Sequence, residues 1–243
     1  MKTVRWFVAQ FATLGVLLMP LPAAAAGPVY QPPRGCTLDM TVQLHNCQVA
    51  NHFRCADDPA GDRWVSYADG GGEYFLSHID RETRWVESIS RTDGTIDRLD
   101  ESGSADHASF STLLSTGRDD FDFVTVSSLG EVRRYIGFDE LTGTTVTISG
   151  VTLERTRFEL RIEDAAGNFI AQRKGNQFIN RDMRLFFSDA ETVENAFGDH
   201  ASTYEAPAAF AFPGDKGFGA TKPEFDCDMM MTNLPPVDIK PTL

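Results

Sequence analysis

Residues 157–163 read Arg157-Phe158-Glu159-Leu160-Arg161-Ile162-Glu163, with apolar and charged side chains alternating without a break. A strand sends successive side chains to opposite faces, whereas a helix returns to one face only every three or four residues. The stretch therefore predicts a β-strand that buries Phe158, Leu160 and Ile162 and leaves its charges in water.

The same period of two recurs on either side, predicting strands at 64–67, 74–79, 84–89, 121–126, 133–138, 144–148, 169–173 and 183–187. Between them stand turn signals: Asp69-Gly-Gly-Gly72, Asp93-Gly94, Leu129-Gly130, Leu141-Thr-Gly143, Ala166-Gly-Asn168 and Lys174-Gly-Asn176. Connections of a few residues make neighbouring strands antiparallel. The expected fold is all-β with minor α: an up-and-down meander of about eight to ten strands, curled into a barrel or half-barrel, with a β-sandwich as the alternative.

Two stretches depart from the period of two. In 104–115, Phe110, Leu113 and Leu114 fall at helical spacing, which predicts a short helix. In 189–203 an Asp cap and an acidic first turn precede Val193 and Phe197, four apart, which predicts a second helix ending at Gly198. Segment 205–226 is rich in Pro, Gly and Phe. It reads as an irregular cover over an open edge or barrel mouth, with Phe210, Phe212, Phe218 and Phe225 lining an apolar pocket beneath it.

The N-terminus carries Lys2 and Arg5, then an apolar run over 6–21 broken by Gln10, Gly15 and Pro20, then Ala23 to Ala26. That is the layout of a cleavable signal peptide, residues 1–26. Its apolar part covers about 15 residues against the roughly 20 that a spanning helix needs. Cys36 lies too far past the cut to carry a lipid. The expected product is periplasmic or secreted, without a transmembrane anchor: an extended lead-in at 27–35, one β-rich domain at 36–231, and a tail at 232–243, with both ends mobile. Loss of Lys2 and Arg5 leaves 20 basic against 35 acidic residues, a net charge of −15. Such a charge argues against nucleic acid and anionic lipid surfaces as partners and favours solubility, or cations and basic ligands.

Cys36, Cys47, Cys55 and Cys227 all survive processing, and in an oxidising compartment four cysteines read as two disulfides. Of the three pairings, Cys36 with Cys227 and Cys47 with Cys55 is favoured, one fastening the domain's ends and the other closing a local hairpin. No C-x-x-C supports a metal site.

No catalytic signature is present. Ser149, in Ile148-Ser-Gly-Val151, lies in strand-like sequence and lacks the G-x-S-x-G or S-x-x-K context of an activated nucleophile. His45, His52, His78, His107 and His200 form no H-E-x-x-H or H-x-H pair; His78, beside Asp80, is the one a carboxylate would tune. Acidic clusters stand at Asp97, Asp100 and Glu101, at Asp119, Asp120 and Asp122, and at Asp226 and Asp228. They read as solvated loops rather than calcium ligands. Met229-Met-Met231 reads as packing rather than a copper site. No cofactor is expected.

Eighteen phenylalanines against five tyrosines supply purely apolar rings for a core or a cavity. The leading expectation is a non-enzymatic binding or carrier protein of the bacterial envelope that takes an apolar ligand or partner. A secreted hydrolase using carboxylates or His, and an envelope structural or interaction protein, are the alternatives.

Overall fold

The computed structural model describes residues 29–228; the expected signal peptide, the Met229–Met231 run and the expected tail lie outside them. The chain forms β1 (Cys36–Leu44), β2 (Gln48–Cys55), β3 (Arg63–Asp69), β4 (Gly72–Ile79), β5 (Trp85–Ser90), β6 (Ile96–Leu99), α1 (Phe110–Thr116), β7 (Arg118–Ser127), β8 (Val132–Ile148), β9 (Val151–Asp164), β10 (Phe169–Asn180), β11 (Leu185–Asn195), β12 (His200–Tyr204) and β13 (Pro207–Ala211). The 13 strands make one antiparallel sheet in sequence order from β12 back to β1, with β13 added beyond β1. The expected all-β meander is therefore present, as an open sheet rather than a closed barrel.

The sheet is nonetheless rolled. Its two edge strands, β12 and β13, are joined by only Glu205 and Ala206, a link that spans at most about 11 Å. The Glu205 amide donates to Asp189 O of β11 at 2.8 Å, and the His45 amide donates to Ala206 O at 3.0 Å. The edges thus meet at a seam that no β-ladder crosses. Rolling also brings Val42, Val65 and Phe75 from β1, β3 and β4 against Leu153, Phe178 and Phe187 from β9 to β11 in one core. A second cluster, Phe121, Phe123, Tyr135, Phe158 and Leu160, covers β7 to β9.

Phe158 and Leu160 are buried as the alternation requires, within a β9 that reaches Asp164. In β7, Asp119, Phe121, Phe123, Thr125 and Ser127 are buried, while Asp120 and Asp122 face outward to Arg118 and Arg134. Opposite Phe121 on β8 stands Gly137, where an added Cβ would collide with Glu159 O. The missing side chain lets the β8–β9 backbones close up.

The helix over 104–115 forms as α1, slightly later. The Ser109 side chain accepts from Thr112 N at 3.1 Å, and Gly117, at φ 86°, ends it by donating to Leu113 O. Phe110 and Leu113 pack against Ile179 and Phe186. The second helix does not form: its residues make the β11–β12 hairpin. Val193 is buried in the ladder opposite Arg173 and Ala201, whereas Phe197 is 91% exposed at the turn. Their spacing of four was coincidental, and pairing with β10 decided the conformation. The signals at 141–143 and 174–176 are not turns either. At the first, residues 142–144 of β8 face a single residue of β9, so the strand absorbs two extra residues without ending; at the second, β10 runs on unbroken and the bulge is in β11, where two residues face Asn176.

Strands β1 and β2 showed no alternation because both their faces are covered. Segment 212–225 and the lead-in lie across them through side-chain bonds: Asn51 Nδ2 donates to Ala220 O at 2.9 Å, Gln43 Nε2 to Lys222 O at 3.1 Å, and Gly219 N to Thr41 Oγ1 at 2.8 Å. The Tyr30 amide donates to Gly219 O at 2.7 Å, so the lead-in is tied down from there. Segment 205–226 is thus a cover in part only, since β13 within it is a strand that caps the β1 edge.

Both disulfides form, but the pairing is the other one: Cys36 with Cys55 and Cys47 with Cys227. Cys36 and Cys55 face each other across β1 and β2, with Cα atoms 3.9 Å apart. Cys47 and Cys55 flank opposite ends of β2, roughly 25 Å apart at strand rise, far beyond the reach of a disulfide. Among the described residues no helix is long and apolar enough to cross a membrane.

A candidate binding cavity

The four phenylalanines expected to line an apolar pocket under segment 205–226 stand apart from the cavity described below. Phe210 is a core residue, edge-on to Phe187 at 5.3 Å, and Phe212 packs on the same core. Phe225 stands 6.1 Å from the His45 ring, and Phe218 is half-buried in the cover segment. None of the four lines the cavity described below.

Most residues weighed for chemistry are satisfied structurally. His78 is buried, its Nε2 3.0 Å from Asp62 Oδ2 and its ring stacked on Trp64 at 4.4 Å. Trp64 Nε1 donates to Asp58 Oδ2 at 2.8 Å, so the set pins the loop between β2 and β3. Burial pushes the Asp62 carboxyl up. His52 is buried against Phe187, and desolvation pushes it down to about 3, a neutral core ring. His45 bonds Asp226 at 2.6 Å, holding that carboxyl below its usual range, and His200 is exposed. Ser149, read as a strand residue, instead turns the chain from β8 to β9 at φ 48°. Asp100 accepts from the amides of Ser102 and Gly103 in its own loop. Among the described residues no group of three or more His, Cys, Asp or Glu is placed to hold a metal.

The exception is a cavity of about 40 Å³ on the buried face of β7 to β10. It has room for roughly three water molecules, or about three heavy atoms of a ligand. Phe121, Phe123, Phe158 and Leu160 form its floor, Phe186 one flank, and Trp85 with Leu99 the opposite wall. Each floor residue arrives by strand alternation, from β7 and β9.

The rim is built by a turn and a helix start. Thr83, at φ 63°, is held where Glu82 Oε2 accepts from Ser111 N at 2.8 Å and Glu82 O from Phe110 N at 3.2 Å. Arg184 Nη2 donates to Glu82 Oε1 at 2.8 Å, with its guanidinium 4.9 Å above the Phe110 ring. The turn and α1 are therefore one unit over the cavity.

Into this apolar space the ladder puts one carboxyl, that of Asp139 on β8. Asp119 of β7 stands opposite it in the ladder, buried but outside the cavity lining. Asp119 Oδ2 accepts from Ser109 N at 2.7 Å, and burial still pushes its carboxyl up to about 6. The Asp139 side chain lines the cavity with no hydrogen bond or ion pair among the described residues, and burial, then repulsion from Asp119, pushes it up to about 8. Asp119 ionises first, and Asp139 then feels its charge. The guanidinium of Arg84 is engaged by Asp80 at 2.6 Å and Glu101 at 3.2 Å. His107 presents a buried Nδ1 without a partner, while its Nε2 lies 3.1 Å from Glu101.

Asp139 was not singled out from sequence. The alternation Tyr135, Gly137, Asp139 was the available signal, because it continues the buried face of β8 onto a carboxyl. No family model, curated protein or solved structure matches the chain.

Proposed function

We propose that the protein is an exported, non-enzymatic binding protein of the bacterial envelope whose cavity takes a small ligand, or one end of a larger one, with an apolar body and a polar head. The carrying observation is the cavity itself: an aromatic floor with a few polar groups at one side is the composition of ligand pockets. Its volume narrows the apolar-ligand expectation, since a whole lipid or pigment does not fit about 40 Å³. The two disulfides accord with an oxidising compartment, periplasmic or extracellular. Native mass spectrometry of protein purified without denaturation from its own host tests the reading. We expect a reproducible small adduct that disappears in Leu160→Trp, which fills the cavity. A bare protein that also shows no thermal shift with compounds of three heavy atoms, such as ethanol and ethylammonium, would refute it.

One observation favours a second reading. Carboxyls whose environments separate their proton affinities, here about 6 and about 8, are how an acid and a base are set apart in hydrolases. Against it, one Asp119 oxygen is committed to the α1 cap. A glycosidase and esterase screen decides: turnover abolished by Asp139→Asn and by Asp119→Asn would replace the binding reading.

A further inference from the structure

Resting on that binding reading, we infer that the cavity's ligand is a small organic ammonium, its N–H groups donating to Asp139 and its apolar body lying on Phe121, Phe123 and Phe158. The Asp139 side chain lines the cavity without a hydrogen-bond or ion-pair partner among the described residues, and as a carboxylate it only accepts. A ligand that satisfies it in that state must bring donors. His107 Nδ1, buried and unpartnered in the same lining, is a second polar atom within the ligand's surroundings.

Charge points the same way. The charged and titratable groups lining the cavity are Asp139, Arg84 and His107; Asp119 stands opposite Asp139 in the ladder, with Asp106, Asp120 and Glu82 acting on it, and Glu101 lies beside Arg84 and His107. Arg84 is already neutralised by Asp80 and Glu101. Asp119 and Asp139 lie opposite each other with no cation between them, and aromatic faces, which are themselves negative, line the floor. An uncompensated carboxyl in such surroundings is costly to keep, and an ammonium relieves that cost by ion pairing and by cation–π contact. A carboxylate or phosphate ligand would meet repulsion instead. A neutral carbonyl compound would need Asp139 protonated as a donor, so the two chemistries have opposite pH dependence.

The experiment is calorimetric titration of the full mature chain, disulfides intact, with ethylammonium, ethanol and formamide, each of three heavy atoms, at pH 6.0 and 8.5. We expect ethylammonium to bind at least tenfold more tightly than the other two and several-fold more tightly at pH 8.5. Asp139→Asn should lose that preference by tenfold or more while binding ethanol as before, which shows that its cavity is intact. Equal or tighter binding of either neutral compound, or ethylammonium affinity unchanged in Asp139→Asn, overturns the ammonium assignment and leaves an apolar binding cavity. Failure of all three compounds to bind overturns the binding reading with it.

Discussion

Replacing Asp139 by Asn should make the protein more stable at alkaline pH and remove a large part of its pH dependence. Burial pushes the Asp139 carboxyl up from 3.8 to about 8, so the folded state holds this proton more tightly than the unfolded chain does. The resulting stability is fully present below pH 4 and is lost as pH rises towards 8. Four units at about 1.4 kcal/mol each set a ceiling of about 6 kcal/mol. Water entering the cavity solvates part of the charge, and we expect about 2–4 kcal/mol of it to be realised. Asn keeps the shape without the charge. Urea unfolding of both proteins, disulfides intact, at pH 4.5, 6.0, 7.5 and 8.5 provides the assay, and the difference between the two curves is read. Other carboxyls raised by burial, Asp62, Asp189 and Glu205, remain in both proteins and cancel. The variant should gain steadily from pH 6.0 to 8.5. Parallel stability curves would refute the reasoning, because they would mean that Asp139 is solvated or paired in solution.

Peptide mapping without reduction should recover the Cys36–Cys55 and Cys47–Cys227 pairs, and removing the second should cost more, about 5 against about 3 kcal/mol, because it closes the longer loop of the unfolded chain. Gly137→Ala should destabilise by more than about 2 kcal/mol in thermal or urea unfolding, since its Cβ meets Glu159 backbone rather than a yielding side chain. Phe110→Ala should cost about 3–4 kcal/mol and loosen the cavity rim, read as faster amide exchange in residues 80–84. Phe197→Ser, at an exposed turn, should change stability by less than about 0.5 kcal/mol.

How much was legible depended on whether one face of a segment met water. Residues 157–163 and β7 have one buried and one solvated face, so their period of two was plain. Strands β1 and β2 are covered on both faces, and their sequence carries no such contrast. Val193 and Phe197 satisfied a helical spacing that only the β10 partner could overrule. Of the cavity's polar lining, His107 stands in the sequence as one of five histidines and Asp139 without a mark, while Asp119, opposite Asp139 in the ladder, stands in an acidic cluster. A carboxyl's chemistry is set by what surrounds it, and its neighbours here come from strands far apart in the chain.

By itself the sequence determined the all-β class, the antiparallel order of neighbouring strands and the use of four cysteines as two bridges. These follow from side-chain periodicity, short connections and cysteine number, all properties of neighbours along the chain. The tertiary structure alone decided which cysteines pair, where the rolled sheet's edges meet, and that Asp139 enters an aromatic cavity with Asp119 opposite it in the ladder. Those depend on strand register and on the curl of the whole sheet, in which residues 20 to 180 positions apart come into contact. A local pattern can specify that a face is buried; only the assembled sheet determines what it is buried against.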